Sequence, residues 1–211
     1  MEAYEFLFYV APVLILVYGA FLLFIRPPKK VLLWSLLGGL VTGMINMLVD
    51  IVAYKARWWE YVFRQPSLDK STTLQTTLAT TLTHLVDIIH VPLPLYITPI
   101  LVYGSLVFLL IWRFNWGKLR WLSRLLLIVT PVFCIVRSIL DVVVQNSLQT
   151  WENFPMAVVG TIVLWLVAFY AGYALFWRTA SGIAYKEDIT EEELPWHAPE
   201  QRPQYNAHIE K

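Results

Sequence analysis

Charge is scarce in this chain. Of its 211 residues only 15% are Asp, Glu, Lys or Arg, while 58% are apolar, and the mean hydropathy is +0.58. Soluble domains carry about 25% charged and about 45–50% apolar residues. The shortage therefore excludes an ordinary soluble enzyme, a disordered chain, a collagen and a coiled coil. Cysteine is nearly absent: Cys134 stands alone, which excludes an intramolecular disulfide framework. Glycine-rich phosphate loops are missing, as are G-x-S-x-G, H-E-x-x-H and C-x-x-C motifs. Four histidines are too few for a di-iron desaturase cluster or a pair of b-type haems. No cofactor is expected, and any substrate should be lipid-soluble or arrive through the bilayer.

What the chain does have is aromatic and apolar residues in long runs. Ten Trp, 11 Tyr and 11 Phe fit rings anchored at bilayer interfaces. A bilayer core needs about 20 apolar residues per helix. Five segments qualify, at about 4–25, 31–54, 72–112, 122–144 and 155–177. The expected fold is all-α: a polytopic helical membrane bundle of about five transmembrane helices in a domain spanning 1–180. The first segment ends at Arg26-Pro27-Pro28-Lys29-Lys30, where proline cannot continue a helix. It carries Glu2 and Glu5 in front and no small-x-small cleavage site behind, so it reads as a retained helix rather than a signal peptide. The third segment is too long for one span and too short for two. With Pro92, Pro94 and Pro99 inside it, it reads as an amphipathic extension over about 71–91, a kink, and a span to about Trp112.

Residues 1–180 carry a net charge of +5, and residues 181–211 a net charge of −4. The acidic tail has the composition of a solvated segment; if ordered, it would dock on the protein itself or on a partner chain. Basic residues sit at helix ends rather than on one patch, so no nucleic-acid partner is expected. Nine of them fall on one side: Arg26, Lys29, Lys30, Arg113, Lys118, Arg120, Arg124, Arg178 and Lys186. Lys55, Arg57, Arg64 and Lys70 fall on the other. The asymmetry places the N-terminus outside and the C-terminal tail in the cytoplasm.

Polar residues inside the spans carry the functional signal. A charge at bilayer depth costs about 2.5–3.5 kcal/mol on insertion scales, so it faces the bundle interior and seeks a partner. Ser35, Gly39 and Gly43 form a small-residue stripe at i+4 spacing that admits another helix closely. Asn46 and Asp50 continue it as a polar stripe, either a buried acid aimed at a cavity or a structural hydrogen bond. Over 71–91, Thr73, Thr76, Thr77, Thr80, His84, Asp87 and His90 recur at helical spacing. This puts His84, Asp87 and His90 within an arc of about 120°. A carboxylate between two imidazoles suits general acid/base work, or a metal site completed by Asp50 or Asp141, although the spacing is not specific for metal. A satisfied polar seam explains it equally. Arg137, Asp141, Gln145 and Gln149 lie four apart. Arg137 and Asp141 are set for an i,i+4 ion pair; alternatively Arg137 meets an anionic head group or steadies a charged intermediate. Trp58, Trp59 and Tyr61, and Trp151 in the other outer loop, read as an interfacial belt. Glu60 and Glu152 are candidate caps of a cavity mouth.

The stretch from Asp50 through Trp58-Trp59-Glu60-Tyr61 resembles the Asp…Trp-x-Tyr/Phe stretch of small membrane lycopene-cyclase-like domains of carotenoid synthesis. That family has a Pro-x-Glu-Glu motif at the next helix. Here His90-Val91-Pro92-Leu93-Pro94-Leu95 keeps the proline and lacks the two glutamates, and the likeness covers about 45 residues. It implies a redox-neutral, acid-catalysed reaction on an isoprenoid, or a related scaffold, with Asp50, His84 and Asp87 as the nearest substitute acids.

Three functions follow as expectations. The first is binding or acid/base transformation of a lipid-soluble, isoprenoid-like substrate, with Asp50, His84, Asp87 and His90 as catalytic candidates. Asn46, Arg137, Asp141 and Gln145 would then bind the substrate. The second is a non-catalytic subunit or assembly factor of a larger membrane complex, reached through the tail. The third is an ion or proton pathway.

Overall fold

The computed structural model describes residues 6–61, 93–116, 119–144, 149–180 and 182. Of these, 87% are helical. Five helices are long and apolar enough to cross a membrane: Phe8–Ile25, Lys29–Lys55, Leu93–Asn115, Arg120–Val143 and Phe154–Ala180. They fit an integral membrane protein. The expected amphipathic extension, with His84, Asp87, His90 and Pro92, lies outside the described residues, as do Gln145 and the acidic tail apart from residue 182.

A π-helical turn, Phe6–Val10, leads into α1 (Ala11–Ile25), and a two-proline break leads into α2 (Lys29–Lys55). The third span is built in three parts: a 3₁₀ turn at Leu93–Tyr96, a π-helix at Thr98–Leu106, and α3 (Val107–Asn115). Then come α4 (Arg120–Val143) and α5 (Phe154–Ala180). Helix α2 has 27 residues, a length of about 40 Å at 1.5 Å per residue, which exceeds a hydrocarbon core of about 30 Å.

Small residues decide which helices meet. On one face of α2, a Cβ added at Gly38 would lie 2.8 Å from the Gly172 carbonyl oxygen, so α2 and α5 touch backbone to backbone. On an adjacent face, a Cβ at Gly39 would collide with the Ile100 carbonyl and stand 2.8 Å from the Ser105 nitrogen. The Ser35–Gly39–Gly43 stripe thus receives the π-helix, the close approach that small residues permit. Ser105 adds polar glue there: its hydroxyl is 2.7 Å from Tyr18 Oη of α1 and 3.0 Å from Ser35 Oγ of α2.

The chain also forms something a purely helical reading omits. Strand β1 (Trp59–Tyr61) pairs antiparallel with β2 (Gln149–Trp151), in register Trp59 with Trp151, Glu60 with Thr150 and Tyr61 with Gln149. This ribbon joins the loop leaving α2 to the loop entering α5. It also corrects the reading of Trp59 as an interfacial anchor. The ring is 1% exposed and packs with Ala53 and Ala157.

At the opposite end, Ile25, Val31, Phe108, Trp112, Phe169 and Phe176 form the main apolar cluster. Phe108 sits at its centre, with ring centroids 5.5 Å from Phe169 and 5.7 Å from Phe176. Outward-facing side chains such as Leu16, Leu23, Ile128, Phe133 and Val159 are exposed and apolar, the surface that lipid covers.

Proline inside α4 is resolved by a neighbour. Pro131 has no N–H to give to the Leu127 carbonyl one turn earlier. Tyr170 of α5 donates its hydroxyl to that carbonyl at 3.1 Å.

Candidate functional site

Asp50 lies five residues before the end of α2, about 7–8 Å along the helix axis from Lys55. It is 5% exposed. Both carboxylate oxygens are occupied. Trp59 Nε1 donates to Oδ1 at 3.1 Å, while the Tyr61 hydroxyl donates to Oδ2 at 3.0 Å. The Tyr96 hydroxyl also donates to Oδ2, from the 3₁₀ turn that opens the third span. Three donors converging on two oxygens is the pattern an ionised carboxylate satisfies. Burial, reinforced by the Asp50 charge, holds the Tyr61 hydroxyl well above the ordinary tyrosine value, so it remains a donor. All of these partners are neutral, and no cation pairs with Asp50 among the described residues.

The carboxylate lines a cavity of about 210 Å³. Asn46, Tyr61, Tyr96, Pro99 and Tyr103 form one side of its wall, and Cys134, Arg137, Ser138, Asp141 and Trp165 the other. The cavity thus lies where the π-helix, α4 and α5 meet, on the ribbon side of the bundle. Asn46, one turn before Asp50, is 4% exposed and donates its amide to the Thr42 carbonyl at 2.8 Å.

Arg137 and Asp141 bring charge to the far wall. Arg137 Nε stands 3.5 Å from Asp141 Oδ2, the expected i,i+4 pair. The two side chains are 52% and 51% exposed, so they are half-open rather than buried. Arg137 also donates from Nη1 to the Tyr103 hydroxyl at 2.7 Å, which ties α4 to the π-helix. Tyr103 is held between rings, edge-on to Trp165 at 5.6 Å and 6.4 Å from Phe133. Ser138 accepts from Trp165 Nε1 at 3.2 Å and donates to the Cys134 carbonyl at 2.9 Å, so its one proton is already given.

Four sequence candidates therefore share one cavity: Asn46, Asp50, Arg137 and Asp141. His84, Asp87, His90 and Gln145 lie outside the described residues. Among the described residues there is no group of three or more His, Cys, Asp or Glu able to hold a metal ion. Glu60, in β1, and Glu152, just after β2, are exposed, and neither is among the cavity-lining residues. Sequence reasoning missed Tyr96, Tyr103 and Trp165. The available signal was chemical: a tyrosine or tryptophan in an apolar run still has a polar group that must find a partner.

No family model, curated protein or solved structure matches this chain.

Proposed function

We propose that this chain is an integral membrane protein that binds a lipid-soluble, isoprenoid-like molecule within the bilayer and acts on, or simply holds, its polar end. The observation that carries this reading is Asp50. A buried carboxylate is costly in a low-dielectric interior; this one meets no cationic partner among the described residues and borders a cavity walled by Tyr61, Tyr96, Tyr103 and Trp165. A positively charged centre on the ligand relieves that cost and finds aromatic faces around it. The resemblance to carotenoid cyclase domains agrees, since acid chemistry on an isoprenoid builds up positive charge. Asp50, held by the Tyr96 hydroxyl, is the group that such a positive centre would face.

The cavity's size supports binding of one end of such a molecule. Complete small-molecule pockets hold about 300–1,000 Å³, and 210 Å³ is smaller. The apolar remainder then extends between spans or into lipid. In this reading the ribbon side faces outward, and the end bearing Arg26, Lys29, Lys30, Arg113, Arg120, Arg124 and Arg178 faces the cytoplasm. The amphipathic extension over about 71–91 and the kink at Pro92, Pro94 and Pro99 belong to the same proposal. An ion pathway receives less support, because the cytoplasmic half of the bundle is filled by the Phe108 cluster.

The test is binding of farnesylamine to the purified protein in lipid nanodiscs, read by calorimetry. Saturable binding is expected, and Asp50→Asn should weaken it by about tenfold, the size of one lost charge-assisted contact. Equal affinity in the variant, or no binding by the wild type, overturns the proposal and favours a non-catalytic subunit of a larger complex.

A further inference from the structure

The cavity has a second pole, and its chemistry is opposite to that of Asp50. Among the described residues that line it, Arg137 is the one basic side chain. A guanidinium carries five N–H donors. Here one is given to Tyr103 at 2.7 Å, and Nε faces Asp141 across 3.5 Å, longer than a good charge-assisted bond. Donors on Nη1 and Nη2 remain. The Tyr103 hydroxyl accepts from Arg137, so its own proton is available to another acceptor. Arg137 sits six residues before the end of α4, about 9 Å along the axis, at a depth where spare guanidinium donors are expensive.

Nearby residues hold this fork in place. Asp141 anchors Nε from the same helix, and Trp165 and Phe133 hold the Tyr103 ring. Ser138, with its hydroxyl used in both directions, does not compete. The described lining residues include two carboxylates, Asp50 and Asp141, against one guanidinium. A ligand with only negative charge is therefore repelled by the cavity even where Arg137 attracts it. A ligand with both signs meets complementary charge at both ends.

We infer that Arg137 and Tyr103 form an oxyanion subsite, so that the molecule bound here is a bipolar amphiphile: an apolar isoprenoid-like chain bearing a positive centre and, a few bonds away, a carboxylate or phosphate. This rests on the binding reading above and extends it to the second group of the same ligand. The positive centre sits toward Asp50 and its aromatic neighbours. The oxyanion accepts from Arg137 Nη2 and from the Tyr103 hydroxyl. Both groups enter from the bilayer side, where Arg137 is half exposed.

The experiment compares ligands that differ only in the oxyanion: farnesylamine, N-farnesylglycine and N-farnesyl-aminomethylphosphonate, with farnesoic acid as the purely anionic control. Each is titrated into the full chain in nanodiscs. At least one of the two zwitterions should bind about tenfold tighter than farnesylamine, and farnesoic acid should bind weakest. A preference for the glycine head marks a carboxylate ligand; a preference for the phosphonate head marks a phosphate. Arg137→Gln should reduce the ratio of zwitterion to amine affinity to near one. Tyr103→Phe, which keeps the ring and removes only the hydroxyl, should reduce it partway. If the wild type binds farnesylamine as tightly as the tighter-binding zwitterion, the oxyanion subsite is refuted while the Asp50 reading stands. If none of the ligands binds, the binding reading itself has failed. A ratio unchanged in both variants also refutes the subsite.

Discussion

The two ends of the helix bundle solve the same packing problem in opposite ways. At the basic end, Phe108, Phe169 and Phe176 fill the space between α2, α3 and α5 with stacked and tilted rings. At the ribbon end, α2, the π-helix, α4 and α5 part around a cavity lined by Asp50, Arg137, Asp141 and three tyrosines. Ring packing alone suffices to close a membrane bundle. The polar end therefore calls for a separate explanation, since each charge there carries an insertion cost that more leucine or phenylalanine would avoid. The contrast teaches where function is to be sought: in the half that is more expensive than stability requires.

The comparison can be broken or sharpened by substitution. The largest effect is expected from Phe108→Ala, which opens a void among fully buried rings and should cost about 3–5 kcal/mol. Thermal unfolding in detergent should show it as a large drop in midpoint. A small drop would mean that the basic end is not the stabilising half. Next comes Tyr96→Phe, which takes one of three donors from Asp50 and should cost about 1–3 kcal/mol. The same change should weaken farnesylamine binding, because it disturbs the group that attracts the positive centre. A stability loss with unaltered binding would make Asp50 a purely structural tie. The smallest effect is expected from Tyr170→Phe, which leaves the Leu127 carbonyl without the donor that Pro131 cannot supply. A loss of about 0.5–1.5 kcal/mol with unchanged farnesylamine affinity would confine that bond to the seam between α4 and α5.

Local pattern made part of this legible. Runs of apolar residues marked five spans, and the structure begins and ends them within a few residues of those runs, apart from the third, whose first part lies outside the described residues. The i,i+4 spacing of Arg137 and Asp141 gave their pairing. The Ser35–Gly39–Gly43 stripe announced a close neighbour, although not which one. What stayed hidden depends on distant residues. Asp50 and Tyr96 are brought together by the packing of two spans, and no periodicity links them. Trp59 looked like an interfacial ring because a tryptophan after an apolar run usually is one. Its burial depends on a ribbon whose two strands have three residues each, too short to leave an alternating pattern. The π-helix at Thr98–Leu106, with Pro99 in its first turn, left no periodic signal, and it brings Tyr103 to Arg137.

The seam between α2 and α5 has a consequence for how the protein is made. Gly38 and Thr42 belong to the second span, while Gly172, which meets them, belongs to the fifth. A ribosome delivers the second span to the membrane well before the fifth exists, so the bared backbone groove of α2 must wait in lipid until the last span arrives. A nascent chain stopped before Phe154 already contains β2 and still carries that open groove. Closure of this seam is therefore a late event, completed by α5.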